Sequence, residues 1–361
     1  MNNSKWIRSP QFDLVLVSGG AIFTLLVAFI SFQAESFLPW FFWAWVIFFE
    51  GSHFWATFSR TYFDDKFRKE NKSFLLGSLV FFLFPALALY MDTMSQVSYS
   101  TLYGLFIFIW SLYHNARQLY GFMSIYSHKA EISQEAKQAL TLSLYMLIGF
   151  AQVHFLLNFK VPGTFGLIEL GAGNATLTWM LTKLPLYLTA MALGFFFYHI
   201  SKIKSENKDL TAIINYVLTC AVFYSTMFYF IAPRDLFIQG QDGAQKLMLI
   251  AIMNSLFHNI QYHAIVWHYG QSRFDGNKEY GVANILNSKT INYLMFSIAM
   301  GSVFGVIVWN LGDWPNLNGI YTNGFHSWAY IIFFGIIGHH FYLDQKIWRP
   351  SKQKDLRKYI N

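Results

Sequence analysis

The chain has 361 residues, of which 55% are hydrophobic, 20% are aromatic and 12% are charged. Soluble domains carry about 25% charged residues, so collagen-like, disordered and soluble α/β folds are excluded. The net charge of +7 is expected to set membrane topology rather than to bind nucleic acid. The single cysteine, Cys220, excludes an intrachain disulfide and a metal site built from several thiolates.

Apolar segments of about 20 residues, the length that crosses a bilayer core, recur along the whole chain. They predict ten transmembrane helices over residues 13–33, 37–59, 74–92, 99–126, 138–158, 176–200, 211–232, 245–268, 290–309 and 325–348. The first segment is too long for the core of a signal peptide and is expected to be retained. We therefore predict an all-α, polytopic integral membrane protein in which residues 1–361 form a single transmembrane helical domain.

The distribution of basic residues predicts the orientation of these helices. On the ten-helix count, 21 of the 26 Lys and Arg residues fall in loops or tails on one side. The other side holds only Lys160, Arg234 and Lys246, while Arg117 and Lys183 lie inside predicted helices. Because loops rich in Lys and Arg stay in the cytoplasm, both termini are predicted to be cytoplasmic. The expected location is the inner membrane of a bacterium, with the lipid bilayer as a partner.

Ionisable residues are expensive within a bilayer and indicate functional sites, and four of the ten predicted helices carry polar motifs that contain them. The motifs are Glu50-Gly-Ser-His53, His114-Asn115-Ala-Arg117-Gln118, His258-Asn259-Ile-Gln261-Tyr262-His263 and His339-His340-Phe-Tyr-Leu-Asp344. They lie in the second, fourth, eighth and tenth helices, which all run from outside to inside, and each motif is in the second half of its helix. The motifs are therefore predicted to meet at one depth, in the cytoplasmic half of the bilayer.

Helical spacing indicates which of these side chains share a face. His340 and Asp344 are four residues apart and lie on one face, whereas His339 points about 100° away. His258 and His263 are five residues apart, which separates them by about 140° on a regular helix. Both can face one centre only if the helix is distorted or the site is broad.

Imidazole and carboxylate groups without thiolates suit iron, zinc, manganese or copper(II). The Glu-x-x-His spacing in the second helix places a carboxylate and an imidazole on one face, as in di-iron four-helix sites. The predicted metal ligands are His53, His114, His258 and His340, followed by Glu50, His263, His339 and Asp344. The residues predicted to orient these ligands or to bind a substrate head group are Arg117, Gln118, Asn259, Gln261 and Tyr262.

These motifs resemble those of two groups of membrane enzymes. Histidine clusters on the cytoplasmic side of a helical membrane protein resemble the membrane fatty-acid desaturases and hydroxylases. Single histidines scattered over several helices are similar to the Brp/Blh-type β-carotene dioxygenases. The resemblance covers the architecture and the histidine clusters; the His-x-x-x-His, His-x-x-His-His and Pro-His-Gly strings of these groups do not occur. The resemblance implies that the protein is a non-haem iron oxygenase.

The predicted function is thus that of a metal-dependent oxygenase or related oxidoreductase. Its expected cofactor is mononuclear or dinuclear iron. Its expected partners are a hydrophobic small-molecule substrate, such as a lipid or carotenoid, and an electron donor. Two alternatives stay open: a haem-b electron carrier with bis-histidine ligation, and a transporter for a metal ion or a proton-coupled solute. His154, in an outer half, is expected to have only a structural role. Arg60 and Arg349 are predicted to be basic anchors at helix ends.

Overall fold

The structure is a computed structural model that describes residues 5–158, 173–204, 208–232, 243–274, 278–312 and 326–348, together with Leu356 and Lys358. Within these ranges the only regular secondary structure is helical. The long helical segments are Pro10–Gln33 (α1), 38–59 (α2), Lys72–Asp92 (α3), Tyr99–Lys129 (α4), Gln134–Asn158 (α5), Ala175–Lys204 (α6), Thr211–Ile231 (α7), Gly243–Arg273 (α8), Thr290–Trp309 (α9) and Ser327–Ile347 (α10). Short helices Asp65–Glu70 and Val282–Ser288 lie in two of the connections.

Each long helix corresponds to one predicted segment, but several continue beyond the predicted bounds. The helix α4 ends at Lys129 rather than at residue 126, and α8 ends at Arg273 rather than at residue 268. Hydropathy detects only the apolar part of a helix, whereas Lys, Arg and Gln are themselves good helix formers. The helices therefore extend past the apolar segments into polar sequence.

Six of the helices are long and apolar enough to cross a membrane, namely α1, α3, α5, α6, α7 and α9. The prediction of ten such helices is thus supported for six of them in the part of the chain that the structure describes. The other four, α2, α4, α8 and α10, are the helices that carry the polar motifs, and polar residues lower their mean hydropathy. The basic residues Lys160, Arg234 and Arg349 and the side chain of Lys246 lie outside the described residues.

The chain divides into two compact units. Unit 1 comprises Met1–Leu38 and Asn115–Phe257, and unit 2 comprises Pro39–His114 and His258–Asn361. The long helix α4 changes unit directly after His114, and α8 changes unit directly before His258. The four histidines predicted first as ligands, His53, His114, His258 and His340, therefore all belong to unit 2.

The core of unit 1 is formed where α5 packs against α6 and α7. Leu144 and Phe155 of α5, Phe196 of α6 and Phe228 of α7 are completely buried there. Burial of side chains this large contributes roughly 1.5–3 kcal/mol each. This apolar core is the main source of stability in the unit.

In unit 2, a close approach of α2 and α9 positions the turn that carries His53. A Cβ atom added to Gly301 of α9 would lie only 1.8 Å from the carbonyl oxygen of Ile47 in α2, so only glycine fits at this contact. The π-helical turn Val46–Glu50 includes this carbonyl group. The contact fixes α2 directly before the regular turn Gly51–Ser59, which contains His53.

Candidate metal centre

Three histidines and one aspartate of unit 2 form a buried group: His53 of α2, His114 of α4, and His340 and Asp344 of α10. One ligand atom of each residue lies within 4.8 Å of those of the other three. All four residues are at most 5% exposed. Two ligands bound at about 2.1 Å are about 3.4 Å apart in a tetrahedral site and at most about 4.2 Å apart in any site, so shifts of roughly 0.5–1 Å would let all four contact one ion.

His258 of α8 lies beside this group. Its Nε2 atom is 3.3 Å from Nε2 of His53, and its ring centroid is 4.9 Å from that of His114. Two nitrogen ligands of a tetrahedral ion with bonds near 2.1 Å are about 3.4 Å apart, so His53 and His258 have the spacing of two ligands. The structure thus brings together the four histidines that were predicted to converge, while their binding of a metal stays a prediction.

Several ring nitrogens in the group lack protein partners. Nδ1 of His53, Nε2 of His114 and Nε2 of His340 are buried and have no hydrogen-bond partner among the described residues. A buried polar atom without a partner costs roughly 1–3 kcal/mol. At Nε2 of His114 and of His340, coordination of a metal ion would offset this cost. Nε2 of His340 also lies 3.7 Å from Oδ2 of Asp344, so two potential ligand atoms are side by side.

Thr57, one helical turn after His53, contacts two of the potential ligands. Its Oγ1 donates a hydrogen bond to Oδ1 of Asp344 at 2.8 Å and lies 2.8 Å from Nδ1 of His340. Because a hydroxyl has one hydrogen, its donation to Asp344 makes Nδ1 of His340 the protonated nitrogen. Nε2 of His340 then keeps its lone pair, which metal ligation requires. Thr57 therefore orients the imidazole and the carboxylate together.

Tyr262 of α8 supports the same carboxylate. Its hydroxyl donates a hydrogen bond to Oδ1 of Asp344 at 2.8 Å and accepts one from Nε1 of Trp348 at 3.2 Å. Its ring centroid lies 4.2 Å from that of His53. With Oδ1 of Asp344 held by two hydroxyl groups, Oδ2 is the oxygen that can bind an ion.

Arg60 was predicted to be a basic anchor at a helix end, but it is buried, with 4% exposure. Its guanidinium carbon lies 3.8 Å from the ring centroid of Trp348 and 4.2 Å from that of Tyr269. Desolvated cation–π contacts of this kind contribute about 2 kcal/mol. The contact holds Trp348, to which the sequence analysis gave no chemical role, beside Tyr262.

His339, a predicted ligand, lies outside the four-residue group. Its Nε2 is 3.0 Å from the hydroxyl of Tyr62, and its Nδ1 is 3.0 Å from the carbonyl oxygen of Ser78. Both ring nitrogens are therefore held by protein groups. The 100° rotation between adjacent helix positions turns His339 away while its neighbour joins the group.

Glu50 and His263, two further predicted ligands, also bind protein groups. Nε2 of His263 is 2.9 Å from Oγ of Ser52, and its Nδ1 is 2.7 Å from the hydroxyl of Tyr293. Oε2 of Glu50 accepts a hydrogen bond from Nδ2 of Asn259 at 2.7 Å. Metal binding by His263 would require one of its two hydrogen bonds to be exchanged.

The remaining predicted site residues are divided between the units. Gln261 is completely buried in unit 2. Arg117 and Gln118 belong to unit 1, where the exposed Arg117 donates a hydrogen bond to the hydroxyl of Tyr145 at 2.9 Å. His154, which was expected to have only a structural role, also lies in unit 1, and that role stays a prediction.

The sequence analysis missed Thr57, although one signal was present. Thr57 lies four residues after His53, a spacing that places both on one helix face. Threonine in an apolar helix usually bonds its own backbone, so the residue type alone gave no reason to select it. Thr57 orients potential ligands only through its contacts with His340 and Asp344 of α10, a helix that is distant in the sequence.

The group offers three imidazoles and one carboxylate, with His258 as a further imidazole beside them. A donor set of nitrogen and oxygen without thiolate suits iron, manganese, zinc or copper(II). Four ligands would leave two positions of a six-coordinate ion open to other molecules. Comparisons of the chain with protein-family models, with curated proteins and with solved structures found no match.

Proposed function

We propose that the protein is an integral membrane oxidoreductase that uses non-haem iron to activate O₂ against a hydrophobic substrate. The observation that carries this proposal is the buried group His53, His114, His340 and Asp344, whose ligand atoms lie within 4.8 Å of one another. Iron is chosen because structural zinc sites with four protein ligands are usually rich in cysteine. Histidine–carboxylate sites with open positions are typical of non-haem iron oxygenases.

The proposed topology has ten transmembrane helices with both termini in the cytoplasm of a bacterium. Six helices are long and apolar enough by themselves, and the other four carry buried polar residues that need not face lipid. This topology puts the metal centre in the cytoplasmic half of the bilayer. A substrate dissolved in the lipid is the natural partner of such a site, as the resemblance to membrane desaturases, hydroxylases and carotenoid dioxygenases also implies.

The packing of the site favours a small ion over haem. The ring of His53 lies 4.4 Å from that of His340, and the ring of His114 stacks on Phe341 at 4.5 Å. A porphyrin bound between two histidines needs a flat space between their rings, and side chains fill the surroundings of these imidazoles. An iron ion held directly by the side chains needs no such space.

Elemental analysis and absorption spectroscopy of the purified protein test the proposal. We expect iron in the wild-type protein, retained by His154→Ala and lost from His114→Ala at matched expression. Iron(II)-loaded protein should consume O₂ when a reductant and lipid extract are supplied. Equal metal content in all three proteins would refute the metal centre. A Soret band would instead identify the cofactor as haem. Metal-dependent uptake by vesicles, with no iron bound to the protein, would favour a transporter.

A further inference from the structure

Arg117 is a charged side chain deep within α4. It lies twelve residues before Lys129, the last residue of the helix, which corresponds to about 18 Å. In the proposed topology this exceeds the interfacial layer of a bilayer, which is roughly 5–8 Å thick on each side. The side chain of Arg117 is nevertheless exposed, and no carboxylate of the described residues forms an ion pair with it. A cation in this position needs an anionic partner.

The Arg117 side chain turns towards the end of α4 that the topology assigns to the cytoplasm. Its guanidinium carbon lies 4.9 Å from the ring centroid of Tyr120, three residues later, and it donates to the hydroxyl of Tyr145 in α5. Lys137 of α5 donates a hydrogen bond to Oγ of Ser124 at 2.7 Å. Tyr120 and Ser124 are four residues apart, so the α4 residues that the two cationic side chains contact are about 6 Å apart along the helix axis.

A groove of about 260 Å³ lies between α4 and α5 at this level. Tyr120 and Tyr145 line it together with Lys137 and Thr141, and no carboxylate is among its lining residues. Oγ1 of Thr141 is buried and has no hydrogen-bond partner in the described part of the chain. The exposed Leu142 adds an apolar side chain to the wall. The groove thus combines the cation of Lys137, a spare hydroxyl and apolar surface, and Arg117 lies beside it through its contacts with Tyr120 and Tyr145.

We infer that this groove binds an anionic phospholipid from the cytoplasmic leaflet. The lipid phosphate would accept hydrogen bonds from Lys137 and Thr141 and would neutralise Arg117, and an acyl chain would lie along Leu142. The tyrosine rings suit the boundary between headgroup and hydrocarbon, where aromatic residues are enriched. This inference rests on the proposed membrane topology and is independent of the metal centre.

Lipid binding to the full-length protein in a neutral detergent tests this inference. Native mass spectrometry and thermal shift would compare phosphatidylglycerol with phosphatidylcholine and with inorganic phosphate. We expect phosphatidylglycerol alone to bind and to raise Tm, and Lys137→Gln or Arg117→Gln to weaken its binding at least tenfold. Lys72→Gln is the matched control, because Lys72 is an exposed lysine at the start of another helix, α3, and should leave binding unchanged.

Three outcomes would overturn the inference: equal binding of the two lipids, equal stabilisation by inorganic phosphate, or unchanged binding in the Lys137 and Arg117 variants. The metal content of the same variants separates this test from the proposed function. Lys137→Gln should keep the wild-type metal content, since Lys137 lies on α5, a helix that carries none of the proposed metal ligands. Loss of lipid binding with metal retained would support the lipid site alone.

Discussion

Replacement of Thr57 by valine removes one oxygen atom from the proposed metal centre while almost preserving the volume of the side chain. That oxygen lies 2.8 Å from Nδ1 of His340 and donates a hydrogen bond to Asp344. Without it, His340 is no longer held in the tautomer that exposes Nε2. One of the two hydroxyl groups that hold Oδ1 of the carboxylate is also lost.

The expected effect of Thr57→Val is a loss of metal affinity rather than a loss of fold. Removal of a group that orients a metal ligand typically weakens binding 10–100-fold, equivalent to about 1.4–2.7 kcal/mol. Thr57→Ser keeps the hydroxyl and should retain near-wild-type affinity. The measurement is competition with a chelator of known affinity on purified protein, with the absorption spectrum recorded on each variant.

Thr24→Val provides a matched control for this experiment. Thr24 is completely buried, as Thr57 is, but among the described residues its hydroxyl donates only to the carbonyl oxygen of Gly20 in its own helix. It should lose little metal affinity. If Thr57→Val binds metal as tightly as the wild type, or if Thr24→Val loses as much affinity, then the hydroxyl of Thr57 does not orient the ligands.

Two further predictions concern the fold. Gly301→Val should destabilise the protein by several kcal/mol, because the added Cβ would lie 1.8 Å from a carbonyl oxygen of α2 and overpacking alone costs about 1–3 kcal/mol. Thermal unfolding measures the effect. Gly77→Ala is the control, because a Cβ at Gly77 meets nothing within 4 Å. A reporter inserted at Ser133 should be cytoplasmic and one at Ser95 external; the reverse result would overturn the proposed orientation.

The meeting of the histidines could be predicted from the sequence, because their common level along the helices depends on local patterns. Apolar length locates each helix, and the positions of basic residues assign its direction. The histidines of the even-numbered helices then fall at one level without any knowledge of packing. The structure brings His53, His114 and His340 together, as that argument requires.

The rotation of each helix about its axis could not be predicted, because it depends on contacts between distant segments. His339 and His340 are adjacent, and the sequence ranked His340 first without showing which of the two faces the other histidines. In α2 the π-helical turn Val46–Glu50 interrupts the regular period just before His53, so counting residues at 3.6 per turn fails there. The contact of this turn with Gly301, which sets its position, joins residues far apart in the chain.

The choice between two carboxylates shows the same limit. Glu50 is three residues before His53 and Asp344 is four after His340, so helical spacing favours neither. Asn259 of α8 donates a hydrogen bond to Glu50, whereas two hydroxyl groups hold Oδ1 of Asp344 and leave Oδ2 beside the imidazole. Side chains on other helices therefore hold both carboxylates: Asn259 holds Glu50, and Thr57 and Tyr262 hold Asp344. A sequence pattern can therefore propose a set of ligands, but the neighbours that engage or release each group select among them.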